Sequence, residues 1–332
     1  MNNINIVSGE DYVDPMKHLY TAESGLKYPE RLPPDDTACV ELDLKNTPLE
    51  ISIRDVAQLA AEDFTLARRN GFGGSDSGSL LGVNPFMPLN QLIAQKASST
   101  LSEEELATSN QIAVIKGNDL EPLIIDKFQK TFNMQTVKPT DMYVFKDWPY
   151  LKMDFDGVTG TPEQYIPVEI KVVTKRGERH YNPDCCLYIE GVGYQQMPEH
   201  FELANNSIET KAAEFGIPAY YYTQLQQEMM ALNAPFGFLC SLWESEWTLH
   251  VYVVYKDITI WNALKIEGYK AWEQVEALKQ KSNKAEEVKK LMVLNQHVSQ
   301  YHVQKILKDE VLNDAFAPEN PDQVPQPGPE AY

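Results

Sequence analysis

Residues 150–173, YLKMDFDGVTGTPEQYIPVEIKVV, alternate as a β-hairpin does, yet they set acids and a lysine into strands that should be building a core. Strand side chains point to opposite faces with period two. Ile166, Val168, Ile170 and Val172 therefore share one face, and Glu169 shares the other with Lys171. The same rule puts Asp154 and Asp156 on a common face of the preceding strand, with a turn around Gly160 and Pro162 closing the hairpin. Buried charge is costly, and neighbouring carboxylates repel one another unless a cation sits among them. Hard oxygen donors of this kind suit Mg²⁺ or Mn²⁺, and a lysine two residues beyond an acid is placed to orient an attacking water. The hairpin is expected to be a metal-dependent phosphodiesterase site; the plain alternative is a solvated hairpin whose polar face meets water.

The rest of the chain predicts one α/β domain with appendages. Residues 1–55 are rich in acids, Pro and turn formers and read as an N-terminal extension, with a candidate strand in ACVELDL. From SIRDVAQLAAEDFTLARRN the apolar spacing becomes helical and breaks at GFGG, and a short helix is expected to start at Ser75 or Asp76. LNQLIAQKA predicts another helix, as does QIAVIKGNDLEPLIIDKFQKTF, where Leu120, Ile124 and Phe128 form an apolar stripe beside Glu121. Strands are expected at 141–146, 150–157 and 166–173, a helix at about 219–233, and a second hairpin from FGFLCSLW and WTLHVYVVY. The core thus spans 56–256, a helical region 257–316, and a Pro-rich disordered tail 317–332.

Four cysteines without CxxC spacing argue against a zinc or iron–sulfur site and for reduced, mostly buried thiols. No apolar run reaches the roughly 20 residues of a membrane helix. The start MNNINIVSGEDYVDP lacks the basic and apolar regions of a signal peptide, so cytoplasmic residence is expected. The net charge of −19 opposes nucleic-acid binding at first sight. Net charge does not set the local field, however. Arg68, Arg69, Lys171, Lys175, Arg176 and Arg179 are expected around one cleft, and an acidic exterior would repel DNA elsewhere.

Asp156, Glu169 and Lys171 have the D…ExK arrangement of the restriction-endonuclease-like superfamily, and four further segments resemble the YqaJ-type viral recombinase family of phage lambda exonuclease. RRNGFGGSDSGSLLGVNPF resembles its opening motif, and matches Arg68 and Ser75, with Arg69 next, to residues near a 5′-phosphate. KGNDLEP resembles its G-x-x-x-E-P motif and makes Glu121 its acid; MDFDG resembles the strand ending in Asp-Gly, which favours Asp156 over Asp154 as a metal ligand. VEIK supplies Glu169, Lys171 and the Ile170 carbonyl as a further ligand, and YYTQLQQEMMAL matches Tyr221 and Gln224.

The resemblance implies a restriction-endonuclease-like α/β core, with a central mixed β-sheet flanked by helices and a helical C-terminal region. It implies Mg²⁺ (or Mn²⁺) at Glu121, Asp156 and Glu169, with Lys171 orienting the attacking water and Gln224 fixing either Lys171 or that water. It further implies 5′ to 3′ resection of double-stranded DNA ends, a ring-shaped homo-oligomer, a single-strand annealing protein as partner, and a phage or prophage protein in a bacterial cell. The stretch between Lys171 and Tyr221 is longer than the family pattern leads one to expect, and the acidic extension has no counterpart in it. Competing readings are a nuclease-fold module that binds DNA or protein without cutting, and an endonuclease or repair nuclease of the same superfamily.

Overall fold

The computed structural model describes residues 42–59, 61–98, 112–195 and 206–281. Its centre is a seven-stranded mixed sheet: β2 (Thr136–Val137), β5 (Val158–Thr161), β6 (Gln164–Val173), β9 (Phe236–Trp243), β10 (Thr248–Tyr255), β7 (Tyr188–Ile189) and β8 (Gly193–Tyr194), in that spatial order. β6 and β9 run parallel, and the other neighbours are antiparallel. A three-stranded sheet stands beside it, in the order β1 (Leu49–Ile53), β3 (Met142–Phe145), β4 (Lys152–Met153). Helices flank the sheets: α1 (Ala61–Arg68), α2 (Ser77–Leu80), α3 (Leu89–Ala97), α4 (Ile112–Phe132), α5 (Ile208–Glu214), α6 (Ala219–Leu232) and α7 (Ile258–Gln280). This is the α/β class with a central mixed sheet and flanking helices expected above.

The parallel β6–β9 pair explains the rest of the core. Parallel neighbours need a crossover, which α5 and α6 supply, and such strands are buried on both faces. Val168 lies opposite Phe238 in register, and Phe238 meets Phe128 of α4 at 5.2 Å between ring centroids. The apolar face of β6 therefore looks towards α4, where Ile124 and Phe128 are fully buried as the stripe requires. Glu169 and Lys171 are left on the opposite face, under α6.

Two sequence expectations change. Residues 150–157 are not one strand: Lys152–Met153 belongs to the smaller sheet, and Asp154 to Asp156 form the connection into β5. The helix expected from Ser52 starts at Ala61, because Ile51 and Ile53 pair with β3, and Asp55, at φ 47°, turns the chain out of the strand. Leu49–Ile53, within the expected extension, thus joins the fold, whereas ACVELDL falls mostly outside the described residues and its Leu44 opens a 3-10 turn. The long stretch after β6 adds β7 and β8 to one edge of the large sheet. The helical region is described as α7, N-capped by the Asp257 side chain; the remainder from 282, with the tail, lies outside the described residues. Cys186 and Cys240 are buried and Cys185 half-buried, all unbridged.

Candidate active site

β5 pairs with β6 only from Gln164 to Pro167, so the edge of β6 beyond Pro167 has no strand on that side. The chain entering β5 satisfies it instead. Val168 N–H donates to the Gly157 carbonyl at 2.9 Å, and the next inward N–H, that of Ile170, donates to Asp156 Oδ2 at 3.0 Å. Gly157 eases the close approach: a Cβ there would lie 3.1 Å from Thr136 Cγ2 and 3.3 Å from the Val168 carbonyl oxygen, tighter than most side chains sit. Asp156 is therefore fixed beside the Glu169–Lys171 face by backbone geometry.

Glu169 is 1% exposed. Its Oε1 receives Lys171 Nζ and, at 2.6 Å, Gln224 Nε2 of α6. The same Gln224 nitrogen donates to Glu228 Oε1 at 3.2 Å, one helical turn on. Lys171 Nζ also lies 3.8 Å from Asp156 Oδ2 and 5.2 Å from the centre of the Tyr221 ring. Burial and then the Asp156 charge push the Glu169 carboxyl up to about 7. Glu228 is driven well above the carboxylate range by burial and by Glu169. Burial alone would lower Lys171, but Glu169 and Asp156 outweigh it and hold the ammonium charged.

Glu121 reaches this cluster from α4, where Pro122 follows it inside the helix and removes one backbone hydrogen bond. Its carboxyl takes Lys138 Nζ from the chain just after β2. Burial first, and Asp156 next, raise Glu121; Asp154 is also raised, chiefly by burial. Glu228 and Lys138 were not singled out from the sequence. For Glu228 a signal existed, since it stands four residues after Gln224 on one helix face; for Lys138 there was none, because only the fold brings it to Glu121.

The opening motif forms a second wall. α1 ends at Arg68, and a 3-10 turn over Gly74–Asp76 leads into α2. Asp76 Oδ2 accepts from Gly73 N–H at 2.8 Å and pairs with the buried Lys96 at 2.6 Å, while Lys96 also donates to the Arg68 carbonyl at 2.9 Å. This bracing presents Arg68, whose guanidinium donates to Ser75 Oγ at 2.6 Å. Arg68, Gly74, Ser75, Asp156, Lys171 and Gln224 line one cleft of about 170 Å³, together with Asp154. Arg69 is directed elsewhere: it is 5% exposed and donates to the Ser98 carbonyl at 2.9 Å. Lys175, Arg176 and Arg179 are exposed after β6 and line neither this cleft nor the adjoining cavity.

The structure thus gathers Asp156, Lys171, Gln224, Arg68 and Ser75 around one space, with Glu169 beneath it and Tyr221 behind Lys171. Glu121 stands at its flank, electrostatically joined through Asp156. Among the described residues no three Asp, Glu, His or Cys side chains converge as a closed metal-binding set. The reason is visible: Glu169 leans on Lys171 and Gln224, and Glu121 leans on Lys138. The donor chemistry nevertheless fits a hard divalent cation, because the carboxylates outnumber the lysines and raise one another's pKa values.

A family model described as the YqaJ-like viral recombinase domain matches residues 63–234, more than half of the chain. No curated protein matches. Among solved structures, the alkaline exonuclease LHK-Exo from Laribacter hongkongensis is similar at 13% identity over 70% of this chain and 96% of its own, with a TM-score of 0.43. Its complex with dAMP is similar at 14% identity over 68% and 100%, also at 0.43. SSO0001 is similar at 14% identity over 68% of this chain and 89% of its own, with a TM-score of 0.31. Arg68, Glu121, Asp156, Glu169, Lys171 and Gln224 all fall inside the matched segment, and the chain belongs to the YqaJ-like viral recombinase domain family.

Proposed function

We propose that this protein is a metal-dependent exonuclease that resects linear double-stranded DNA from its 5′ ends. The observation that carries this reading is the single cleft lined both by Arg68 and Ser75 and by Asp156, Lys171 and Gln224. A cation and a hydroxyl suited to a terminal phosphate share a space with an acid–lysine pair suited to hydrolysing a phosphodiester.

In this reading Arg68 and Ser75 hold the 5′-phosphate, and the next phosphate lies against Asp156 and Lys171. Asp156, Glu169 and Glu121 would hold Mg²⁺ or Mn²⁺, with the Ile170 carbonyl as a further oxygen donor. Bound there, the ion would lower the pKa of a water and offset charge on the phosphate. Lys171, set between Glu169 and Asp156, would orient the attacking water. Water oxygen bonds to phosphorus and gives its proton to solvent, while the bond from phosphorus to the 3′-oxygen of the terminal nucleotide breaks and that oxygen leaves, taking up a proton from solvent. Gln224 keeps Glu169 aimed at the cleft, and Tyr221 backs Lys171. The family membership supports three further expectations: a homo-oligomeric ring, a single-strand annealing partner, and a role in phage-type recombination inside a bacterial cell. No helix among the described residues is long and apolar enough to cross a membrane.

The test is digestion of linear duplex DNA bearing 5′-phosphate or 5′-hydroxyl, with Mg²⁺ or EDTA, beside a closed circle. Loss of linear DNA only, dependent on Mg²⁺ and faster with 5′-phosphate, is expected. Cutting of the circle would move the assignment to an endonuclease, and cutting of neither would move it to a binding module.

A further inference from the structure

Phe86 is 76% exposed, the most exposed of the large hydrophobic side chains among the described residues. It is not exposed for want of order. The segment Asn84-Pro85-Phe86-Met87-Pro88 places a proline on each side of Phe86–Met87, which restricts the backbone. Asn84 pins it further: its backbone N–H donates to the Gly78 carbonyl at 3.0 Å, its side chain donates to Ser79 Oγ at 3.2 Å, and its Oδ1 accepts from Phe86 N–H at 2.9 Å. The ring is therefore displayed on a braced loop, at a cost in hydration that folding does not require.

The position of that ring is informative. Phe86 meets Tyr220 edge-on, at 5.7 Å between centroids and 80° between planes, and Tyr220 meets Tyr221 at 4.4 Å. Tyr221 is the ring beside Lys171. Gly78 lets α2 lie close against Tyr220, since a Cβ there would come within 2.8 Å of Tyr220 Cβ. Asn84 and Met87 of the loop line a second cavity of about 260 Å³, which also holds Arg68, Ser75 and the Lys96–Asp76 pair. That cavity shares Arg68 and Ser75 with the catalytic cleft. An exposed aromatic ring with an aromatic backing, on a loop whose flanking residues share a cavity with Arg68 and Ser75, matches the chemistry that binds unpaired nucleotides: cations take the phosphates and ring faces take the bases.

We infer that Phe86, backed by Tyr220, is a stacking platform for an unpaired nucleobase at the DNA end held by Arg68 and Ser75. The inference rests on the exonuclease reading above and deepens it: the end would be frayed, with its base on Phe86, before the strand enters the cleft. Stacking on an aromatic side chain depends little on base identity, so the platform suits an enzyme that resects any sequence.

The experiment uses the full chain in EDTA, so that DNA binds uncut, with 2-aminopurine as an unpaired base at the 5′ end of a duplex. Wild type is expected to quench the fluorophore. Phe86→Ala should abolish the quenching and weaken end binding by about tenfold, Phe86→Trp should retain both, and Phe86→Leu should behave as the alanine variant. Unchanged melting temperatures would establish that the exposed substitutions leave the fold intact. Equal quenching and affinity in wild type and Phe86→Ala would overturn the platform while leaving the exonuclease reading standing. A change of oligomeric mass in Phe86→Ala with DNA binding unaltered would overturn it too, assigning the ring to a protein contact. Failure of wild type either to bind or to cut duplex ends would instead remove the parent reading.

Discussion

Two buried lysine–carboxylate clusters in this protein differ in their charge balance. Lys211 and Asp257 pair at 2.7 Å with side-chain exposures of 2% and 5%. Tyr222 Oη donates to the same Asp257 oxygen at 3.1 Å, and Thr259 N–H donates to the other at 2.9 Å. One positive charge meets one negative charge, and the carboxylate is fully hydrogen-bonded. Around Glu169, by contrast, Lys171 and Lys138 face Asp156, Glu121 and Glu228 as well, and several of these carboxyls are pushed upward. The balanced cluster compensates its own charge; the overloaded one holds more carboxyls than its lysines can match. The costly carboxylates are therefore better explained by chemistry than by stability.

The largest effects should separate the two clusters outright. Lys171→Ala is expected to reduce cleavage by roughly 10²–10⁴-fold while leaving DNA-end binding nearly unchanged. Lys211→Met should do the reverse, removing about 3–5 kcal/mol of stability, because Asp257 is left charged and buried. Retained turnover in the first variant would break the assignment of Lys171.

Neutral isosteres sharpen the contrast. Glu169→Gln should abolish cleavage and yet raise metal-free stability by on the order of 1 kcal/mol, since it removes a repelled carboxyl. Asp257→Asn should lower stability, and chemical denaturation of both variants decides the point.

A pH profile reads the same imbalance more gently. Glu169 titrates near 7 in the folded chain against an ordinary value of 4.5. The folded state then holds more protons than the unfolded one in that window, so metal-free stability should fall as pH rises from about 5 to about 7.5. Millimolar Mg²⁺ should flatten the decline, and a melting curve indifferent to both pH and metal would contradict the overloaded cluster. The smallest effect is expected at the other wall of the cleft: Arg68→Ala should cost about tenfold of the preference for 5′-phosphate over 5′-hydroxyl ends, with cleavage otherwise retained.

Much of the site was legible in the chain because its central pieces are local. Glu169 and Lys171 share a face through the period of one strand, and Arg68 reaches Ser75 across a single turn. Tyr221, Gln224 and Glu228 are spaced along one helix. The misplaced readings have a common physical origin. Alternation through 150–157 could not reveal that Lys152–Met153 pairs with a different sheet from β5, and helical spacing after Ser52 could not reveal that Ile53 already had a strand partner. Lys138 and Glu121, seventeen residues apart, meet only because β2 lies at the edge of the large sheet beside α4.

By itself the sequence determined the α/β class, the apolar stripe of α4, the Glu169–Lys171 face and the turn that carries Ser75, because each depends on the repeat of a single strand, helix or turn. Tertiary structure alone decided that Arg68 enters the cleft while Arg69 is buried against the Ser98 carbonyl, and that Asp156 meets the Ile170 N–H. It also decided that Glu169 and Glu228 crowd one another, and that Asp156 stands close enough to raise Glu121 as well. Those outcomes depend on which strands pair and which helix covers which face, and long-range packing is not written in the spacing of neighbouring residues.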